Sequence, residues 1–284
     1  QLDGVAAKTH LIESPYFSDL CGNNVYLKPE NLQNTGSFKL RGAYNKISQL
    51  NEDERKRGVI TASAGNHAQG VAFAARALNC KAVICMPATT PILKVEATRA
   101  YGAEVVLYGD SFDDAYAKSL ELQKKKGYVY IHPFNDQKVL AGQGTTALEI
   151  IDELKDVDAI LVPIGGGGFA SGVALATKAV NPNVKVIGVE PEGAPCMEKS
   201  FMEGHITTLS AVDTVADGCA VKTPGDLTYA FCKKYLDQII TVSEMEIMSA
   251  LLSLIEKHKL IAEGAGALSL AALNKLPFKG KKVA

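Results

Sequence analysis

The sequence predicts an α/β protein in which strands alternate with helices and form mostly parallel sheets. From residue 59 to residue 131, short apolar runs alternate with longer segments of helical periodicity, and the alternation resumes at residue 138. This pattern is typical of βαβ units, which build parallel sheets. The chain of 284 residues is long enough for two domains. We expect a large domain from residues 1–57 and 136–284, with a small mobile domain, residues 58–135, inserted into it.

Turn residues and apolar runs place the individual elements. Short runs rich in Val, Ile and Ala predict strands at residues 25–27, 59–62, 82–86, 104–107, 128–131, 159–163, 185–190, 239–242 and 281–284. Helical spacing of apolar residues predicts helices at residues 40–50, 66–78, 91–101, 112–126, 138–154, 169–180, 226–235, 244–257 and 263–274. The charged run 51–58 is expected to be a surface connector, and residues 191–225 an irregular passage. The last strand is expected to continue beyond Ala284.

Composition and charge narrow the classes of function. Hydrophobic residues make up 47% of the chain and charged residues 21%, which is typical of a globular protein. The net charge of −1 gives no reason to expect nucleic acid or an anionic membrane as a partner. No apolar run approaches the ~20 residues of a membrane-spanning helix. The near-zero net charge favours small-molecule chemistry. The six cysteines lack zinc-type spacing, so we expect reduced thiols in a cytoplasmic or organelle-matrix protein.

A lysine at a strand-to-helix junction is the first candidate for chemistry. Lys39 follows the strand at 25–27, opens the helix at 40–50 and is flanked by Phe38 and Leu40. Apolar neighbours would desolvate its amine and lower the pKa, as an amine nucleophile requires. Lys39 is therefore a candidate for forming a Schiff base. The alternative is a lysine on a solvated helix face, where most lysines lie.

Four consecutive glycines, Gly165 to Gly168, join the strand at 159–163 to the helix that starts at Phe169. Glycines at such a turn let backbone N–H groups converge on one point, and the helix N-terminus favours an anion, so the pattern predicts phosphate binding. A flexible linker is the alternative, although linkers are not usually bracketed by a buried strand and a helix. A phosphate site together with a desolvated lysine suggests pyridoxal 5′-phosphate (PLP) as cofactor.

A third junction, Ser63 to His67, joins the strand at 59–62 to the helix at 66–78. Ser63, Asn66 and His67 could donate hydrogen bonds to a carboxylate at the start of that helix. The alternative is an ordinary N-cap, in which a Ser or Asn side chain accepts from the first N–H groups.

These three stretches, in this order, resemble the threonine/serine dehydratase branch of the fold-type II PLP enzymes over essentially the whole chain. The motifs are Gly-Ser-Phe-Lys-x-Arg-Gly at 36–42, Ser-Ala-Gly-Asn-His at 63–67 and the four glycines; residues 216–225 and 262–267 fit the same branch. The resemblance implies a tryptophan synthase beta-like fold of two three-layer αβα domains. It also implies a homo-oligomer, either a dimer or a tetramer.

The resemblance further implies an activity and a set of roles. The enzyme would eliminate water from L-threonine or L-serine and release ammonia with 2-oxobutanoate or pyruvate. Lys39 would hold PLP and, once released, remove the Cα proton. The cofactor would be bound by Phe38, Lys39, Asn66, Gly165, Gly166, Gly167, Gly168 and Phe169. The substrate would be bound by Ser63, Ala64, Gly65, Asn66, His67 and Gly218.

Two alternatives remain open at this stage. Serine racemases share most of the pattern but need an acid/base group on the second face of Cα, supplied by a Ser where this chain has Ala64, and a methyl group cannot transfer a proton. A non-catalytic anion- or metabolite-binding module would use the four glycines and make Lys39 dispensable.

A cation is the last ligand suggested by the resemblance. Glu190 and Ala194 match the pattern of a cation site in racemases and some dehydratases, whereas Cys196 replaces its second carboxylate. A hard divalent cation prefers oxygen ligands, so the loss of this carboxylate weighs against a divalent ion and leaves a monovalent ion or no ion open.

Overall fold

The computed structural model describes residues 1–284 and contains a six-stranded and a four-stranded sheet. The strands are β1 (Ile12–Glu13), β2 (Asn24–Leu27), β3 (Val59–Ala62), β4 (Ala82–Met86), β5 (Glu104–Leu107), β6 (Val129–Tyr130), β7 (Ala159–Pro163), β8 (Lys185–Pro191), β9 (Gln238–Val242) and β10 (Lys282–Val283). The helices are α1 (Pro15–Cys21), α2 (Lys39–Ser48), α3 (Glu52–Arg57), α4 (Asn66–Ala77), α5 (Ile92–Ala100), α6 (Phe112–Lys126), α7 (Gln137–Glu153), α8 (Gly168–Val180), α9 (Cys196–Glu203), α10 (Asp226–Tyr235), α11 (Glu244–Ser253) and α12 (Gly264–Ala271).

Both sheets are mostly parallel, as the strand–helix alternation predicts. The smaller sheet has the order β5-β4-β3-β6, and every pair in it is parallel. The larger sheet has the order β1-β2-β10-β7-β8-β9, in which only the β1–β2 pair is antiparallel. No helix combines the length and hydropathy needed to cross a membrane.

The smaller sheet is covered on both faces. Successive residues of a strand point to opposite faces, and β4 accordingly divides its buried side chains between two cores. Ile84 and Met86 pack into one core with residues of α2 and α4, whereas Val83 and Cys85 pack into another with Ala115 of α6. The result is a three-layer αβα arrangement.

The larger sheet is also covered on both faces. Leu161 of β7 packs with residues of α1, α11 and α12, whereas Val162 packs with residues of α7, α8, α9 and α10. Strands buried on both sides read as continuous apolar runs, and all of β8 after Lys185 is buried. The predicted fold class, two three-layer domains with mostly parallel sheets, is confirmed.

The chain divides into two compact units at boundaries that differ from the expected ones. One unit comprises Gln1–Ala7 and Leu32–Gly142, and the other comprises Lys8–Asn31 and Gln143–Ala284. Residues 32–57 are expected from the sequence to lie in the large domain. They belong instead with the smaller sheet, because α2 packs directly on α4.

Three predicted irregular regions contain helices. The run 51–58, expected to be a connector, holds α3, which starts with a capping box between Asn51 and Glu54. The passage 191–225 holds α9 and a short 3₁₀ turn at Asp217–Cys219. The first twenty residues, where no element was predicted, contain β1 and most of α1. The other predicted elements are present, with ends that differ by a few residues, and the helix expected at 244–257 ends in a π turn at Leu254–His258.

Candidate active site

Lys39 is the first residue of α2 and is half-buried. Its Nζ donates a hydrogen bond to the carbonyl oxygen of Pro133 at 3.0 Å and lies 5.4 Å from the centroid of the Phe38 ring. Gly36, at φ +71°, supplies the left-handed turn that leads into the helix. The amine is thus held at a defined place beside an aromatic ring and does not lie on a solvated helix face.

Gly70 of α4 allows the backbone of Lys39 to approach closely. A Cβ at Gly70 would lie 3.0 Å from the carbonyl carbon of Lys39 and 3.0 Å from the backbone nitrogen of Leu40. Such distances are shorter than carbon atoms tolerate without displacement of one helix. Gly70 therefore sets how closely α2 packs on α4, and with it the position of Lys39.

The segment after β6, residues 131–135, supplies partners that the sequence analysis missed. Its Ile131 carbonyl oxygen accepts from Nε2 of His67 at 2.9 Å, and its Pro133 carbonyl oxygen accepts from Lys39. His132 Nδ1 accepts from the backbone N–H of Asn135 at 2.8 Å, which holds the turn. A signal was available, because ligand sites of open parallel sheets form where the chain leaves the carboxyl ends of strands.

His67 is neutral, and its one side-chain N–H donates to the Ile131 carbonyl oxygen and not to a substrate carboxylate. Its side chain is buried, and burial, followed by the positive charge of Lys39, lowers the pKa of His67 to about 3. A neutral imidazole that bonds to a carbonyl oxygen donates from that nitrogen, Nε2, so Nδ1 carries the lone pair. Nδ1 is buried and has no hydrogen-bond partner. What His67 can offer a carboxylate is its backbone N–H.

The serine loop, residues 63–67, ends at the N-terminus of α4. Ser63 Oγ accepts from the backbone N–H of Gly65 at 3.3 Å, and the N-cap of α4 is Gly65, which has no side chain to cap the helix. The alternative of an ordinary Ser or Asn side-chain N-cap is therefore wrong. Ala64 packs its methyl group against the apolar core of its unit. The first N–H groups of a helix lack intrahelical partners and favour an anion.

The glycine loop, Gly165–Gly168, connects β7 to α8 in the other unit. Gly167 is the N-cap of α8 and adopts φ +88° and ψ −1°, in the left-handed region. Alternation of left- and right-handed residues turns successive N–H groups toward one side, which makes an anion-binding concavity. The N-cap residue of α8 makes no side-chain capping hydrogen bond.

Close packing explains why two of these positions need glycine. A Cβ at Gly165 would lie 3.0 Å from the carbonyl oxygen of Gly218, and a Cβ at Gly167 would lie 2.9 Å from Cβ of Thr228. The structure thus brings together the glycine loop and Gly218, which the sequence analysis placed in one site. Glu263 Oε2 lies 4.0 Å from the position that a Cβ of Gly218 would take.

Comparison with known proteins identifies the family of this chain. The family model described as "Pyridoxal-phosphate dependent enzyme" matches residues 2–284. The chain belongs to this family. Its cofactor is pyridoxal 5′-phosphate.

Individual relatives agree with this assignment. The chain is 54% identical to the L-threonine ammonia-lyase of Thermotoga maritima over 284 residues, which cover 100% of this chain and 71% of the relative. The structure of the processed form of threonine deaminase isoform 2 from Solanum lycopersicum matches with a TM-score of 0.96 and 46% identity, over 99% of this chain and 79% of that one. Maize serine racemase matches with a TM-score of 0.96 and 35% identity, over 99% and 88%.

The residues on the two units fit this cofactor. Lys39 offers a primary amine, the group that binds the PLP aldehyde. The glycine loop offers backbone N–H groups at the N-terminus of a helix of thirteen residues, and its Cβ-free positions keep the backbone accessible. Each of these groups, taken by itself, fits one end of PLP.

The segment with the predicted cation ligands, residues 190–196, holds its first carboxylate in hydrogen bonds within the chain. Glu190, at the end of β8, is fully buried, and its two carboxylate oxygens accept from the backbone N–H groups of Met197 and Glu198, each at 2.8 Å. The carbonyl oxygen of Ala194 accepts from the N–H of Cys196 at 3.0 Å. No group of three or more His, Cys, Asp or Glu side chains in the described chain could hold a metal ion. Through its two hydrogen bonds, Glu190 caps the N-terminus of α9.

Burial dominates the ionisation of Glu190. Two N–H donors lower the pKa of a carboxyl group, whereas desolvation raises it. The larger effect is burial, which raises the pKa of Glu190 to about 8. The neighbouring Cys196 thiol also has its pKa raised, first by burial and then by the charge of Glu190.

Proposed function

We propose that the protein is a PLP-dependent threonine dehydratase that also accepts L-serine. It would eliminate water across the Cα–Cβ bond of L-threonine, and hydrolysis of the dehydrated product would release 2-oxobutanoate and ammonia. L-Serine would give pyruvate and ammonia in the same way. The observation that carries this proposal is the placement of the Lys39 amine at the start of α2, bonded to the Pro133 carbonyl oxygen and beside Phe38. The names of the threonine ammonia-lyase and threonine deaminase relatives support the substrate class.

Lys39 has two roles in this proposal. Its Nζ would hold PLP by its aldehyde group and, when free, would take the proton from Cα of the substrate. When bound, PLP supplies the electron sink that makes this proton acidic enough to remove. The Pro133 carbonyl oxygen orients Nζ by accepting one of its hydrogens. Phe38 provides an apolar surface beside the amine.

The remaining predicted residues bind and orient. The N–H groups of the glycine loop, with Phe169 following, would hold the phosphate, and Gly218 would contact the substrate. The serine loop would bind the substrate carboxylate through the backbone N–H groups at the start of α4. Asn66 would contact the ring oxygen of PLP. His67 would keep a neutral side chain, so that it adds no positive charge to the Lys39 neighbourhood.

Ala64 argues against racemisation. The similarity to maize serine racemase extends over nearly the whole chain, so fold alone does not separate the two reactions. A racemase must return a proton to the second face of Cα, whereas elimination needs only one base. The methyl group of Ala64 cannot transfer a proton. The cation, the homo-oligomeric state and the cytoplasmic location remain predictions from the sequence.

The test is a visible spectrum of the purified protein with PLP, before and after L-threonine, together with an assay for 2-oxobutanoate. The wild type should show an absorption band of lysine-bound PLP that changes with substrate. Lys39→Ala should lack the band and turnover. Lys46→Ala, which removes another lysine of α2 and its ion pair with Asp136, is the matched control and should keep both. Turnover that survives Lys39→Ala would refute the proposal.

A further inference from the structure

Thr228 lies directly behind the glycine loop. It is the third residue of α10 and is fully buried. Its Oγ1 donates to the carbonyl oxygen of Gly166 at 2.6 Å and accepts from the backbone N–H of Gly225 at 3.0 Å. The carbonyl oxygen of Gly225 lies farther from Oγ1, at 3.1 Å, and the single hydroxyl proton favours the shorter contact. The hydroxyl group is therefore a bridge between the start of α10 and the glycine loop.

This bridge determines which way one peptide group faces. The chain has no cis peptide bonds, and in a trans peptide the C=O and N–H groups point in opposite directions. Because the Gly166 carbonyl points at Thr228, the N–H of Gly167 points away from α10.

The neighbouring peptides are held in the same manner. The carbonyl oxygen of Gly165 accepts from Cys196 Sγ at 3.6 Å, and that of Gly167 accepts from the backbone N–H of Ser171 at 2.8 Å. The N–H groups of Gly166 and Gly168 therefore also point away from the groups that hold the carbonyls. Cys232 Sγ also lies 3.8 Å from the Gly167 carbonyl oxygen. Among these carbonyl partners, only Thr228 is a side-chain hydroxyl that a near-isosteric substitution can remove.

We infer that Thr228 is a positioning residue for the cofactor phosphate, because its hydroxyl fixes the Gly166–Gly167 peptide with the Gly167 N–H facing the phosphate. The inference rests on the proposed role of the glycine loop in binding phosphate. Without the hydroxyl, the Gly166 carbonyl is a buried acceptor that has lost its partner. The Gly166–Gly167 peptide can then rotate toward other hydrogen-bond donors. The Gly167 N–H would no longer point at the phosphate.

The test compares PLP with pyridoxal, which lacks the phosphate, in titrations of the apoenzyme. Thr228→Val removes the hydroxyl and keeps the branched shape, and it should raise the Kd of PLP about tenfold while leaving the Kd of pyridoxal within about twofold. The phosphorus NMR resonance of bound PLP should also move. Thr228→Ser keeps the hydroxyl and should retain the wild-type ratio of the two constants. If the valine variant does not fold, Thr228→Ala takes its place.

The outcomes separate the inference from the proposed function. A wild type that prefers PLP, with the same preference in a folded Thr228→Val variant, would overturn the role of Thr228 and leave the phosphate site intact. A wild type that binds PLP and pyridoxal equally would overturn the phosphate site, and the role of Thr228 with it. Equal losses of affinity for PLP and pyridoxal in the variant would mark Thr228 as a residue of general stability, which also contradicts the inference.

Discussion

The amine of Lys39 donates to the carbonyl oxygen of Pro133 at 3.0 Å, across 94 residues of sequence. Pro133 lies in the segment that follows β6, and the serine loop follows β3. Because β3 and β6 are parallel neighbours, both segments leave the same edge of the sheet. His67 binds the same segment through Ile131. The lysine is thereby held by a carbonyl group whose position depends on the packing of the smaller sheet.

Gly70→Ala should impair the enzyme without touching any ligand. The new methyl group would lie 3.0 Å from the backbone of Lys39 and Leu40, so α2 must shift by a few tenths of an ångström. We expect slower attachment of PLP, a lower kcat and a loss of about 1–3 kcal/mol in the free energy of unfolding. Stopped-flow absorbance and urea unfolding measure these quantities.

Gly102→Ala is the matched control for this variant. Gly102 has φ +85° and open space around its missing side chain, so alanine there costs about 1–2 kcal/mol of backbone strain and displaces no helix. If both variants lose stability but only Gly70→Ala loses kcat, the position of Lys39 is the cause. Equal kcat values in the two variants would contradict the argument.

Gly167→Ala should weaken the binding of PLP. Alanine at φ +88° is strained, and its methyl group would lie 2.9 Å from Cβ of Thr228, an atom too close to the backbone to move aside. Relief of this contact requires the glycine loop to change conformation, so we expect the Kd of PLP to rise at least about tenfold. Gly204→Ala, at φ +77° with open space around it, should introduce about the same backbone strain and keep its affinity for PLP.

The serine loop offers a test of reaction specificity. Ala64→Ser adds a hydroxyl group where racemases carry one, so the variant should form D-serine from L-serine while it still eliminates water. Chiral chromatography measures the D-serine. Ala77→Ser, at the exposed end of α4, is the control and should form none. Wild-type protein that forms D-serine at a rate similar to elimination would contradict the role given to Ala64.

Local patterns predicted those elements whose stability is also local. The strands β3, β4 and β5 and the helix α6 have the predicted bounds, because buried apolar runs and helical spacing are visible within a short window. For α3 the signal was present and overlooked, since Asn51 and Glu54 form a capping box. The motifs similarly revealed Lys39 and the glycine loop.

Features that depend on remote contacts were not predictable. The N-terminus of α9 is capped by Glu190 through hydrogen bonds to Met197 and Glu198, so a short helix forms where the local pattern looks irregular. The hydroxyl of Thr228 reaches Gly166 across 62 residues. The neutral state of His67 follows from complete burial, which its position at a helix start did not reveal. In each case tertiary packing, and not sequence spacing, decides the role.

Glu190 should make the stability of the protein depend on pH in a direction unusual for an acid. Its folded pKa of about 8 lies above the ordinary value of 4.5, so the folded state binds a proton that the unfolded state has released between these values. The contribution of Glu190 to stability is therefore present below pH 4.5 and lost as the pH rises to 8. Within that window, the free energy of unfolding should fall by up to about 1.4 kcal/mol per pH unit.

Urea unfolding of the wild type and Glu190→Gln at pH 5, 6.5 and 8 isolates this contribution. Glutamine is neutral at every pH, so the difference between the two proteins should change steadily in favour of the variant as the pH rises. Glu13→Gln, at an exposed position of β1, controls for loss of one carboxylate and should leave the pH dependence unchanged. A difference between the wild type and Glu190→Gln that stays constant from pH 5 to pH 8 would show that Glu190 is ionised when folded, because neither state would then bind or release a proton in this range. The two N–H groups of α9 would then outweigh burial.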